Sequence, residues 1–151
     1  MPRIFNRTTR RFRTTDKPVR EVDTNNSVLK VPTEHQEQVL FVQWFRRTYP
    51  EVRIFAIPNG EARSQSAGAR LKAEGVSAGV PDLFIPAWNT WIEMKRSDGG
   101  RISPKQKDWW DYLCSIDHQV FVCEGAEVAK EVAKKVYKLT LCCHNVHKLS
   151  K

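Results

Sequence analysis

Two spacings of apolar residues alternate along the chain, one helical and one extended, and their order predicts an α/β fold. From Thr33 the spacing is helical: Val39, Leu40, Phe41, Trp44 and Phe45 make a broad apolar face that lasts until Tyr49-Pro50. Thr33 follows Pro32 and stands three residues before Gln36, as in a capping box, so the helix starts there. Val52 to Ile57 alternates as a strand does, and Pro58-Asn59-Gly60 ends it. A second helix is predicted from Ser64 to Ala73, with Gly75 at its end. The small, apolar link Gly75-Val76-Ser77-Ala78-Gly79-Val80-Pro81 suits a backbone that passes close to another element.

Two short runs follow, Leu83-Phe84-Ile85 and Trp91-Ile92-Glu93-Met94-Lys95. Rich in aromatic and β-branched residues and bounded by Gly, Pro and Asn, they read as strands, with a turn at Ala87 to Asn89 folding one onto the other. Ser103-Pro104-Lys105-Gln106 is a strong helix start, with Ser at the N-cap, Pro at N1 and Gln at N3. Trp109, Trp110, Leu113 and Ile116 then face partly inward. His118 to Cys123 is a further strand and Ala126 to Leu139 a further amphipathic helix, while the residues from Thr140 have no clear pattern. The order helix, strand, helix, strand, strand, helix, strand, helix predicts a small mixed sheet flanked by helices.

Composition narrows the class. With 151 residues, 40% hydrophobic and 28% charged, the chain is an ordinary soluble single domain. It has no apolar run of about 18 residues, so no transmembrane helix is expected. Its beginning lacks the apolar middle of a secretory signal. Four cysteines form no secreted disulfide framework, so a reducing cytoplasm is the expected setting. The net charge of +8 is unevenly placed: residues 1–31 carry eight Lys/Arg against three Asp/Glu. We therefore expect a mobile basic arm over 1–32, a folded domain over 33–139 and a tail over 140–151. The arm, with Arg10, Arg11 and Arg13, is either a solvated tail or a phosphate contact whose strength falls with salt.

The candidate chemistry lies in the two central strands. Glu93 and Lys95 are two residues apart and share a strand face, and the turn brings Asp82 near Glu93. Two carboxylates and an ammonium on an apolar sheet are costly unless paired or bound to a cation. Mg²⁺ or Mn²⁺ fits such a set, because it takes oxygen ligands and keeps several waters. The Met94 carbonyl is a candidate third oxygen, and Lys95 can orient or deprotonate a water or stabilise charge on a phosphate. Glu34 and Glu37, one turn apart on a shared face, complement the positive end of their own helix. Gln106 closes a capping box with Ser103. Asn59, Arg63, Arg70, Arg96, Arg101, Lys105 and Lys107 are candidate DNA contacts, or solvated surface. Cys142-Cys143-His144-Asn145-Val146-His147 lacks the ligand separation of common zinc sites.

Pro81-Asp82, ten intervening residues and then Glu93-Met94-Lys95 resemble the PD-(D/E)xK nuclease superfamily. Ile57-Pro58-Asn59-Gly60, Leu71-Lys72-Ala73-Glu74-Gly75-Val76, Gly79-Val80-Pro81-Asp82-Leu83 and Ser103-Pro104-Lys105-Gln106 resemble its virus-type replication-repair nuclease (VRR-NUC) branch, in the stand-alone phage and bacterial form, from about Thr33 to Gly125. The resemblance implies a restriction-endonuclease-like core. It implies Asp82 and Glu93 as metal ligands and Lys95 as the catalytic lysine. It also places Gln106 near the metal, with Glu34, or Glu37 as its rival, completing the set. By the same resemblance the activity is Mg²⁺- or Mn²⁺-dependent DNA endonuclease on branched DNA, similar to a Holliday-junction resolvase. The partners are DNA and a second copy of the chain, in the cytoplasm of a bacterial or phage-infected cell. Two alternatives stand beside this: a non-catalytic DNA-binding module on a nuclease fold, and a sequence-specific restriction- or homing-type nuclease.

Overall fold

The computed structural model describes residues 11–12, 31–58 and 65–148. Among the described residues, four α-helices and five strands follow in the order β1 (Arg11–Phe12), α1 (Glu34–Thr48), β2 (Phe55–Ala56), α2 (Gln65–Ala73), β3 (Leu83–Ile85), β4 (Thr90–Lys95), α3 (Pro104–Ser115), β5 (Gln119–Glu124) and α4 (Ala126–Lys148). The strands form one mixed sheet ordered β1-β5-β4-β3-β2. β2, β3 and β4 pair antiparallel, while β5 runs parallel to β4 and β1 parallel to β5. A parallel neighbour needs a long crossover, and α3 is the helix between β4 and β5.

Alternation along the strands creates two cores. Leu83, Ile85, Ile92 and Met94 are fully buried with Phe41 and Phe45 of α1 and Ala129, Val132, Ala133 and Val136 of α4. On the other face Val120 and Val122 pack under Trp110 and Leu113 of α3. The β3–β4 connection is a 3-10 turn, Pro86–Trp88, closed by Asn89 in the left-handed region (φ 49°), which an Asn tolerates better than most residues. Both predicted capping boxes are present, Thr33 with Gln36 and Ser103 with Gln106.

Several expectations need correction. Most of the arm expected over 1–32, including Arg10 and Arg13, lies outside the described residues, but Arg11–Phe12 is an edge strand on β5. The open edge of β5 offers unpaired N–H and C=O groups, and an extended segment satisfies them. The tail expected from Thr140 is helix through Lys148, because no Gly or Pro interrupts propagation of α4 even after the apolar pattern lapses. Leu139, just before that extension, and Leu141 on it are exposed. The strand expected over Val52 to Ile57 pairs only at Phe55 and Ala56, opposite Phe84 and Leu83, since β3 itself is three residues long. Val39 and Leu40 are exposed; the buried face of α1 is Glu37, Phe41 and Phe45, at the four-residue spacing. Ile116 is exposed rather than inward, and so is Cys114, for which a core position is the ordinary expectation of a free cysteine.

Candidate active site

Asp82, Glu93 and Lys95 meet at the middle of the sheet because β3 and β4 are in register, with Leu83 opposite Ile92. Asp82 immediately precedes β3, and its Oδ2 accepts the Met94 N–H at 2.8 Å. Its carbonyl accepts the Ile57 N–H at 2.8 Å, which joins the end of the β2 segment to the same point. On β4, Glu93 and Lys95 share a face, and Lys95 Nζ donates to Glu93 Oε1 at 2.6 Å. Both are buried, at 1% and 8% exposure.

Two helix N-termini bring in the remaining groups. Glu34, in the first turn of α1, lies 3.4 Å from Lys95 Nζ through Oε1 and is half-exposed. Glu37 turns elsewhere: its buried carboxylate accepts the Ala126 N–H at 2.8 Å and so satisfies a free donor at the start of α4. The structure therefore brings Glu34, and not Glu37, into the cluster. Gln106 has both of the roles weighed for it. Its Oε1 accepts the Ser103 N–H at 2.9 Å, closing the capping box, and its Nε2 donates to Glu93 Oε1.

The link before β3 makes this possible. Gly79 has φ +95°, and a Cβ there would stand 2.6 Å from the Lys105 carbonyl carbon and oxygen and 2.9 Å from the Gln106 nitrogen. Only glycine lets the link approach the N-terminus of α3 so closely. Trp109 Nε1 adds a hydrogen bond to Ser77 Oγ at 3.2 Å. Gly79 and Glu37 are the positions whose roles the sequence does not announce. The small-residue link hinted at the first, whereas the second depends on where α4 begins in space.

Burial governs the electrostatics. Burial, and then the neighbouring Asp82 charge, push the Glu93 carboxyl up to about 7 against the pull of Lys95. Burial also raises Asp82, opposed by the Met94 N–H and by Lys95. For Lys95 burial acts downward, but the Glu93 hydrogen bond and the charges of Glu93, Glu34 and Asp82 outweigh it and hold the ammonium above its usual range. Lys95 is thus a cation in this arrangement.

One oxygen has no partner. Glu93 Oε1 takes hydrogen bonds from both Lys95 and Gln106, while Glu93 Oε2 is buried and accepts none from the described residues. An orphaned carboxylate oxygen in the interior is costly, and a divalent cation is the ligand that satisfies it. Among the described residues no three His, Cys, Asp or Glu side chains converge at ligating geometry. Mg²⁺ does not require three, since one or two carboxylates plus waters suffice. Asp82 and Glu93 fit such an ion.

The predicted DNA contacts are more dispersed. Asn59 and Arg63 lie outside the described residues. Arg70 is exposed and paired with Glu74, Arg96 with Asp98, and Lys107 with Asp111. Arg101 and Lys105 are exposed. Exposed pairs like these are weak and easily exchanged for a phosphate. The side chains of Cys142 to His147 lie outside the described ones. Cys123 is buried in the core, and burial pushes its thiol up to about 12. Among the described residues no helix is long and apolar enough to cross a membrane.

A family model described as VRR-NUC domain matches residues 21–127, a span holding Asp82, Glu93, Lys95 and Gln106. A solved structure described as a VRR_NUC domain protein superposes with a TM-score of 0.60 at 26% identity, over 74% of this chain and 93% of the other. No curated protein matches the chain.

Proposed function

The chain belongs to the VRR-NUC domain family, which carries a nuclease-type function, and from that premise we propose that it is a divalent-metal-dependent DNA endonuclease centred on Asp82, Glu93 and Lys95. The observation that carries this reading is the unpartnered, buried Glu93 Oε2 beside Asp82. A purely structural ion pair would leave no reason for a carboxylate to be buried with one oxygen unmet.

A bound Mg²⁺ or Mn²⁺ supplies Lewis acidity toward a phosphoryl oxygen and lowers the pKa of water. The chain's own groups do the rest. Asp82 is fixed by the Met94 N–H, and Glu93 by Lys95 and Gln106, so neither carboxylate must reorganise when a cation or substrate arrives. Met94 contributes its backbone carbonyl beside them. Lys95 orients the attacking water and, being charged, stabilises the negative charge that develops on the phosphate. Glu34 shares the Lys95 ammonium and steers it from the half-exposed side. Arg96, Arg101, Lys105 and Lys107, on the loop and helix start after β4, hold the DNA backbone by charge, with the arginines near the N-terminus adding salt-sensitive affinity.

We take branched DNA as the substrate, cut by a homodimer that offers one site to each of two strands, in the cytoplasm. The test is cleavage of four-way junctions, flaps and linear duplex of matched sequence with Mg²⁺ or Mn²⁺. Wild type should cut the branched forms preferentially, and Asp82→Ala, Glu93→Ala and Lys95→Ala should each lose at least a hundredfold in rate while still binding DNA. Cleavage that persists in both carboxylate variants would sink the assignment.

A further inference from the structure

A row of aromatic rings continues the catalytic face of the sheet and belongs to neither core in full. Trp91 stands two residues before Glu93 on β4, so its side chain points to the same face about 7 Å away along the strand. Phe84 is its cross-strand partner, and the two rings stack with centroids 4.2 Å apart at 25°. His118 lies nearly parallel to Phe84 at 5.9 Å, and Phe55, paired opposite Phe84 on β2, meets it edge to face at 5.8 Å. The Trp91 indole N–H donates to His118 Nδ1 at 2.8 Å, which fixes the indole plane and satisfies its one polar group.

The row is not a finished core. Phe84, Trp91 and His118 are only half-buried, and Phe55 is 47% exposed. α3 packs on Val120 and Val122 of β5, and only Trp91 of the row reaches that cluster, at its edge. A rigid, half-open aromatic row, with no free donor on its indole, suits a flat apolar partner with a π-face. The catalytic carboxylates at its end decide which partner: the group joined to a phosphate held there by a sugar is a nucleobase.

Resting on the nuclease reading above, we infer that Phe84, Trp91, His118 and Phe55 form a stacking platform for one unpaired base next to the phosphate being cut. A base inside a duplex has both faces covered by its neighbours and cannot use the row. A base at a junction, bulge or flap can. The row would therefore supply a preference for DNA with unpaired or unstacked bases, and Trp91 and Phe84 would determine specificity. Base–aromatic stacking of this kind is tolerant of sequence, so the preference would be for structure.

Two duplexes test this, identical but for a single extrahelical 2-aminopurine in one, bound to the full chain in EDTA so that cleavage cannot interfere. Wild type should bind the bulged duplex about tenfold tighter than the paired one, within the range expected of one base–aromatic stack, and should quench the 2-aminopurine fluorescence. Trp91→Leu and Phe84→Leu should lower the ratio of the two affinities toward one and restore the fluorescence. His118→Ala, which removes the indole's acceptor but keeps every other ring, should lower the ratio severalfold and serves if a core variant fails to fold. Equal binding of both probes by wild type, unquenched fluorescence, or a ratio unaltered in His118→Ala and the folded ring variants overturns the platform. Mg²⁺-dependent cleavage by wild type is measured separately. Cleavage without the preference overturns the platform alone, and the preference without cleavage overturns the nuclease reading alone.

Discussion

Replacing Glu93 by Gln should flatten the pH dependence of stability in the metal-free protein, and the size of the effect follows from the site. Glu93 is 1% exposed and its carboxyl is raised to about 7 from an ordinary 4.5, chiefly by burial and secondly by Asp82. An acid with a raised folded-state pKa binds its proton more tightly in the fold than in the unfolded chain. Below the unfolded value both states are protonated and the group is neutral to stability. As pH rises from about 4.5 to about 7 the fold must either hold the proton or bear the buried charge, and stability falls; above about 7 the loss is complete. At about 1.4 kcal/mol per pKa unit the full loss is about 3 kcal/mol, or about 6–12 °C in Tm for a chain of this size. Urea unfolding in EDTA at pH 5, 6, 7 and 8, for wild type and Glu93→Gln, measures it. The difference curve should favour the variant by about 2–3 kcal/mol more at pH 8 than at pH 5, since part of the loss has already occurred by pH 5, whatever the amide costs at every pH. Added Mg²⁺ should stabilise wild type at pH 8 and leave the variant unmoved. A wild-type curve with the same slope as the variant would refute the reasoning, because burial would then not be opposing the charge on Glu93.

The two acids of α1 should separate cleanly. Glu37→Ala leaves the Ala126 N–H at the start of α4 without its acceptor and should cost about 1–3 kcal/mol in urea unfolding, with cleavage per folded molecule little changed. Glu34→Ala, at a half-exposed position, should leave stability within about 0.5 kcal/mol and lower the cleavage rate; the reverse pattern would reassign them. Gly79→Ala places a Cβ 2.6 Å from the Lys105 backbone at a positive φ, and should destabilise by about 2 kcal/mol or more while displacing Gln106 from Glu93. Thermal melts with a parallel cleavage assay check it, and a fully active variant of unchanged Tm would rule out that close approach. Lys95→Ala strips Glu93 of its cationic partner and should abolish cleavage; its metal-free stability should fall more steeply between pH 5 and 8 than that of wild type, seen in the same urea series.

Much of the architecture was legible because it is written locally. Thr33 to Gln36 and Ser103 to Gln106 fix two helix starts through bonds that span three residues, and both formed where the sequence indicated. The strand pair around Glu93 was legible from short aromatic and β-branched runs bounded by Gly, Pro and Asn, with the turn expected at Ala87 to Asn89. Errors arose where a local pattern had no partner, or a partner had no pattern. Val52 to Ile57 alternates well, but a strand extends only as far as its neighbour does, and β3 offers three residues. Arg11–Phe12 carries no strand signal, yet the open edge of β5 accepts it.

The candidate site divides in the same way. By itself the sequence determined that Asp82, Glu93 and Lys95 would share a small apolar hairpin, because side-chain direction on a strand follows from counting by two. It also determined that Gln106 would stand in the first turn of α3. Which acid of α1 serves the site was left open, since Glu34 and Glu37 lie on one helical face and differ by a single turn. Only the packing of α1 against β4 and the start of α4 sent Glu34 to Lys95 and Glu37 to Ala126. The unmet Glu93 Oε2 and the rise of that carboxyl to about 7 likewise exist only in three dimensions. Hydrogen-bond saturation and desolvation depend on everything that surrounds an atom, and the chain order around residue 93 holds only part of that.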